Sequence, residues 1–181
     1  MEYYKEVTIK DGRTLILRNG EKEDSLRVIE NFKTTHGESD FLLSLPEECL
    51  MTEDKEAAFL EKKKESEREV EILAFLDGVL VGTAGVDAVG RYKKLRHRSV
   101  FGISVLRSYW GLGIGRAMTE SCIECAKKAG YEVLELEVVK ENIRAISLYS
   151  SLGFSVYGEN NKAMKREDGV YQPMLLMSLE L

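Results

Sequence analysis

The chain has 181 residues, 44% of them hydrophobic, which is long enough for one full-sized core and short for two. Its 26 Lys and Arg stand against 31 Asp and Glu, a net charge of −5, which argues against a general nucleic-acid or membrane-surface binder, since phosphate backbones demand positive patches. Residues 1–6 lack the apolar core of a signal peptide and no apolar run approaches membrane-spanning length, so a cytoplasmic protein with a single domain over residues 1–181 is expected.

Residues 7–18 alternate apolar and polar side chains on both sides of Asp11-Gly12, a pair that tolerates positive φ, and predict a β-hairpin. Leu26, Ile29 and Phe32 recur at helical spacing within residues 21–36. A second, charged helix is predicted over residues 53–68, with residues 36–43 between as loop or a helix start. Residues 70–76 and 79–86 flank Asp77-Gly78 as another hairpin. A basic stretch, residues 91–98, leads into residues 99–106, apolar on both faces and so central in its sheet.

A helix is predicted from Ile114 to Lys128, ended by Gly130 where a left-handed cap is wanted. Residues 132–139 alternate as a strand and complete a β-α-β unit. Asn142 is placed to cap a short helix through Leu152, with Gly153 closing it, and residues 154–158 and 171–181 supply the last strands. Cys122 and Cys125 lie one helical turn apart on the side of Ala126 and Ala129. They read as core packing, without the second pair that a metal site needs, and no metal is expected.

The chemistry concentrates where the central strand meets its helix, at Trp110-Gly111-Leu112-Gly113-Ile114-Gly115-Arg116. Glycine at alternate positions lets a phosphate approach the backbone, and the unpaired N–H groups of the helix's first turn, from Leu112 to Arg116, point at it. A dinucleotide fingerprint fails in both registers, because its last glycine would fall on Arg116 or on Met118. A Walker loop fails for want of a Lys.

The stretch resembles the Arg/Gln-x-x-Gly-x-Gly/Ala signature of the GNAT superfamily of N-acetyltransferases, with Trp110 where Arg or Gln is usual, a variant similar to that of ribosomal-protein acetyltransferase-like branches. Asn142-Ile143-Arg144-Ala145-Ile146-Ser147-Leu148-Tyr149-Ser150-Ser151-Leu152-Gly153-Phe154 resembles the family's Asn-x-x-Ala-x-x-Leu-Tyr-x-x-x-Gly-Phe segment at every named position. The likeness runs over residues 70–158. It implies an α/β (α+β) GNAT fold, with a mostly antiparallel mixed sheet of six to seven strands, splayed at the cofactor site and flanked by about four helices.

The same resemblance implies acetyl-CoA as co-substrate and direct attack on it by a primary amine. Trp110, Gly111, Leu112, Gly113, Ile114, Gly115 and Arg116 would take the pyrophosphate, backbone groups of Ile103, Ser104 and Val105 the pantetheine arm, and Asn142 a cofactor-side contact. Tyr149 is similar in place to the family's general acid, which protonates the leaving thiolate. An amine of ordinary pKa arrives protonated, and counting back along the central strand, as in histone-acetyltransferase-like members, puts the base at His97. Glu141 or a water chain along backbone carbonyls are the competing routes. Glu38 and Asp40, in a loop that often walls the acceptor pocket, are candidates for binding a cationic substrate.

The acceptor is expected to be a small-molecule amine or a protein N-terminus, with neither nucleic acid nor membrane as partner. Dimers are common among relatives, so a homodimer stands beside a monomer. A module that binds acyl-CoA without turning it over is the alternative function.

Overall fold

The computed structural model covers residues 1–181 and gathers every segment of strand alternation into one sheet. Its strands are β1 (Tyr4–Thr8), β2 (Thr14–Asn19), β3 (Val70–Leu76), β4 (Val79–Ala88), β5 (Arg98–Val105), β6 (Val133–Val139), β7 (Ser155–Lys165) and β8 (Tyr171–Glu180). They lie in the order β1-β2-β3-β4-β5-β6-β8-β7, and every neighbouring pair is antiparallel except β5 with β6. The sheet therefore has eight strands, against the six to seven expected. The outer strands β1 and β7 bury little side-chain surface, yet their backbones complete the ladders of β2 and β8.

Helices α1 (Ser25–Gly37) and α2 (Glu53–Glu65) cover one face of the sheet, α3 (Ile114–Lys128) and α4 (Ile143–Ser151) the other. The main core lies on the α3 side, where Ile72, Ala74, Leu134 and Leu136 meet Ile114, Met118 and Cys122 of α3. Both helical cysteines are buried in it, as their spacing predicts. Helix α1 starts later than its periodicity suggests, because a 3-10 turn, Lys22–Asp24, comes first and is held by the Arg18 guanidinium on Asp24 at 2.6 and 2.9 Å. Helix α2 stops before Arg68, because Ser66 turns extended and its hydroxyl accepts from the N–H groups of Arg68 and Glu69.

The two Asp-Gly hairpins differ. Leu76 and Val79 pair directly around Asp77 and Gly78, both at positive φ, as a two-residue turn requires. In the first hairpin the register closes at Thr8 and Thr14, leaving a five-residue loop in which Ile9 is buried in the α3-side core. That burial carries the loop toward the glycine turn: the Lys10 N–H donates to the Leu112 carbonyl at 3.1 Å.

The parallel pair β5 and β6 determines where ligands can enter. Their register runs from Arg98 with Val133 to Val100 with Glu135 and stops, although both strands continue. The paired end is pinned by Arg98 on the Glu135 carboxylate at 2.8 and 2.9 Å, and by the N–H groups of Glu132 and Val133 on the His97 carbonyl. Beyond it the strands splay, as the resemblance implies.

Candidate active site

The splay opens into a cavity of about 620 Å³ between β5 and β6, roofed by the glycine turn and α4. The sheet's hydrogen bonding shows which backbone groups face it. Leu106 N–H donates to the Val81 carbonyl and Val89 N–H to the Arg98 carbonyl, so the even-numbered residues of β5 exchange hydrogen bonds with β4. The Phe101 carbonyl and the backbone groups of Ile103 and Val105 are then directed toward β6 beyond the last paired position, where no partner strand meets them. The Trp110 indole N–H takes the Val105 carbonyl at 2.7 Å, which leaves the N–H and C=O of Ile103 and the N–H of Val105 open to the cavity.

Ser104 also lines the cavity, though not through its backbone. Its backbone is spent on β4, and its hydroxyl lies 3.4 Å from that of Thr83 on the α1 side of the sheet.

At the turn, Gly111 and Gly113 have φ of 88° and 93°, conformations costly for any residue with a Cβ. Gly113 is the N-cap of α3, and no side chain caps the helix, so its first N–H groups are free for an anion. Trp110, Gly111, Gly113, Ile114, Gly115 and Arg116 all line the cavity. Leu112 does not: its side chain packs on the core and its carbonyl receives Lys10. Asn142 lines the cavity and also caps α4, accepting from Ala145 N–H at 3.2 Å.

Two cations at this end escaped the sequence reading. Lys10 lines the cavity, with its Cγ 3.7 Å from where a Cβ on Gly113 would sit. Arg144 lies over the Trp110 ring at 5.4 Å and over Gly111. With Arg116 they surround the free helix N-terminus.

Tyr149 is buried between Phe101 and Phe154, with ring centroids 6.1 and 5.8 Å away, and lines the cavity from the α4 side. Burial pushes its hydroxyl up to about 12, so it stays protonated at neutral pH. Across the gap stands Glu137, the one carboxylate lining the cavity. Leu134, Leu136 and Val138 of β6 point into the α3-side core, so the alternating Glu135 and Glu137 take the α1 side. Glu135 is held by Arg98, whereas Glu137 has no salt bridge.

His97 is not brought here. It precedes β5 at the paired end, in a separate surface recess with Arg68, Lys93 and Arg96, and the cavity opens at the strand's other end. Glu141 and Asp40 do not line the cavity either. Glu38 is engaged with the chain itself, its carboxylate accepting the Arg107 N–H at 2.8 Å.

The sequence profile of the acetyltransferase (GNAT) family matches residues 39–154, more than half of the chain. The chain belongs to this family. It is 33% identical to the N-alpha-acetyltransferase RimI of Mycobacterium tuberculosis over 102 residues, 51% of this chain and 62% of that one. It is 43% identical over 61 residues to the [ribosomal protein bS18]-alanine N-acetyltransferase of Escherichia coli K12, 34% of this chain and 41% of that one. The matched stretches thus span less than two thirds of these curated relatives.

Among solved structures, a GNAT acetyltransferase from Streptococcus pneumoniae superposes with a TM-score of 0.88 at 27% identity, covering 92% of this chain and 99% of that one. Salmonella typhimurium yncA, solved with its cofactor acetyl-CoA, has the same fold at a TM-score of 0.81 and 20% identity, covering 92% and 94%. For a GNAT chain, the uncapped turn and the splayed strands are the two parts of the cavity that a long, phosphate-ended ligand fits.

Proposed function

We propose that the protein transfers the acetyl group of acetyl-CoA to a primary amine by direct attack in a ternary complex. The observation that carries this reading is the position of Tyr149 and Glu137 on opposite faces of one gap, whose far end is a free helix N-terminus ringed by Lys10, Arg116 and Arg144.

The residues fit the cofactor. The glycine turn and its cations suit the phosphates, and the open groups of Ile103 and Val105 suit the amides of the pantetheine arm. When bound, acetyl-CoA supplies an activated acyl group on a sulfur leaving group. The Ile103 or Val105 N–H polarises the acyl carbonyl. Glu137, on the α1 side, accepts the proton of the incoming ammonium, so that the amine nitrogen attacks as its free base. Tyr149, on the α4 side, donates its proton to the departing sulfur. The acceptor is a small amine or a protein N-terminus, the latter in line with the relatives named for N-terminal acetylation. The reading includes a cytoplasmic location; no helix is long and apolar enough to cross a membrane.

A thiol-release assay with acetyl-CoA and an amine panel, run beside Tyr149→Phe and Glu137→Gln, tests the reading. Release that depends on amine and falls in both variants is expected. Tight acetyl-CoA binding with no release on any amine would sink the transferase and leave a binding module.

A further inference from the structure

The charges of the cavity are divided between its ends. Lys10, Arg116 and Arg144 stand at the glycine turn, and Glu137 is the only charged group elsewhere on the lining. The rest of the α1-side wall is apolar, built by Phe41, Leu42 and Leu43 from the connection between α1 and α2 and by Met174 of β8. The hydroxyls on that wall, those of Thr35, Ser39 and Ser104, each contact the chain itself. Thr35 Oγ1 donates to the Asn31 and Phe32 carbonyls, and Ser39 Oγ accepts from the Phe41 N–H.

The loop that carries the wall is anchored just before Phe41 by two contacts. The Glu38 carboxylate holds the Arg107 N–H at 2.8 Å, and Gln172 Nε2 donates to the Asp40 carbonyl at 3.2 Å.

We infer that the acceptor is a monoamine with an apolar body and no carboxylate or phosphate beside the reacting nitrogen; this rests on the acetyltransferase reading above. Glu137 attracts one ammonium group. An α-carboxylate on the same carbon would be brought within a few ångströms of the exposed Glu137 carboxylate with no cation to meet it, and like charges so close repel. A second ammonium, as in a polyamine, would lie along Phe41 and Leu42 with no carboxylate to partner it. In the transfer, Glu137 takes one ammonium proton, the amine's N–C bond forms as the thioester C–S bond breaks, the sulfur takes the Tyr149 proton, the second proton shed by the nitrogen as the amide forms restores Tyr149, and Glu137 releases its own to solvent. An apolar small amine and a peptide N-terminus with an apolar first residue share this chemistry.

Leucinamide and leucine form a matched pair that differs only in the carboxylate. With saturating acetyl-CoA, kcat/KM on free-base concentration is expected to be at least ~100-fold higher for leucinamide than for leucine, and higher than for spermidine. Hexylamine beside leucyl-glycinamide separates the small amine from the peptide, and preference for either supports the inference. Leu42→Arg places a cation in the apolar wall and is expected to raise the leucine to leucinamide ratio about tenfold. Equal or better turnover of leucine or spermidine, or a ratio unmoved by Leu42→Arg, overturns the inference and leaves the transferase reading intact. No turnover on any amine overturns the transferase reading itself.

Discussion

The backbone N–H of Lys10 donates to the Leu112 carbonyl at 3.1 Å and so stitches the first hairpin to the glycine turn, which brings the Lys10 side chain to the phosphate end of the cavity. Hydrogen bonds to charged groups contribute about 1.5–3 kcal/mol, so Lys10→Ala is expected to raise the KM for acetyl-CoA roughly tenfold or more with little change in kcat. Acetyl-pantetheine, which lacks the nucleotide phosphates, provides the control. Steady-state kinetics with both donors should show the loss only with acetyl-CoA, and an equal loss on acetyl-pantetheine would remove Lys10 from the phosphate site.

Tyr149 combines a buried ring with a hydroxyl that has no hydrogen-bond partner in the protein, so its removal should affect catalysis far more than folding. Tyr149→Phe is expected to lower kcat by ~10²–10⁴-fold, the usual contribution of a positioned proton donor, while calorimetry finds acetyl-CoA binding little changed. The pH profile has a definite sign. An acid loses activity as pH rises through its pKa, and burial holds this hydroxyl near 12, so kcat should show no alkaline decline from Tyr149 across the neutral and mildly basic range. A decline centred near pH 8 would assign the acid to another group.

Which parts of the site were legible depended on how local their chemistry is. Gly111, Gly113 and Gly153 need positive φ where they stand, and Asn142 caps the helix that follows it, so adjacent residues carry the whole pattern. Glu137 was hidden because β6 alternates Glu135 with Glu137 as any outward strand face does. Only the register separates the two: Arg98 reaches Glu135 at the last paired position, and the splay leaves Glu137 facing the cavity. Lys10 was hidden by a turn that looked like two residues and is five, since the burial of Ile9 is a tertiary effect. Counting along β5 to His97 ran to the pinned end of the strand rather than the open one.

Glu71 makes stability depend on pH away from the cavity. It lies under α2 near Lys63, Asp87 and Glu56, and burial, opposed by Lys63, pushes its carboxyl up to about 8. An unfolded Glu titrates near 4.3, so between about pH 4.5 and 8 the folded chain holds a proton that the unfolded chain has lost. Stability should fall as pH rises through that window and level off above it. Glu71→Gln removes the term. At 1 kcal/mol or more, it should raise Tm by about 2–4 °C or more at pH 8.5 and by much less at pH 5. Scanning calorimetry at the two pH values checks this, and an equal shift at both would mean that the carboxyl is not the cause.

Gly82 holds β4 close to β5 just where β5 turns toward the cavity. A Cβ there would lie 2.6 Å from the Ser104 carbonyl, 3.2 Å from Val105 Cγ2 and 3.3 Å from Met118 Sδ. The carbonyl cannot retreat without breaking the ladder with Thr83, and Met118 of α3 is fully buried against the sheet. Since φ at Gly82 is not positive, alanine would otherwise be favoured by chain entropy, so any loss measures the clash alone. Overpacking of this kind costs about 1–3 kcal/mol, which for a chain of this size lowers Tm by about 2–4 °C per kcal/mol. Gly82→Ala should also shift β5 relative to β6 and raise the KM for acetyl-CoA, because Ile103 and Val105 move with the strand. Gly102→Ala is the comparison: a Cβ there meets nothing within 4 Å, so its Tm should match or exceed that of the parent chain. If both variants melt alike, close contact between β4 and β5 is not what the glycine at position 82 provides.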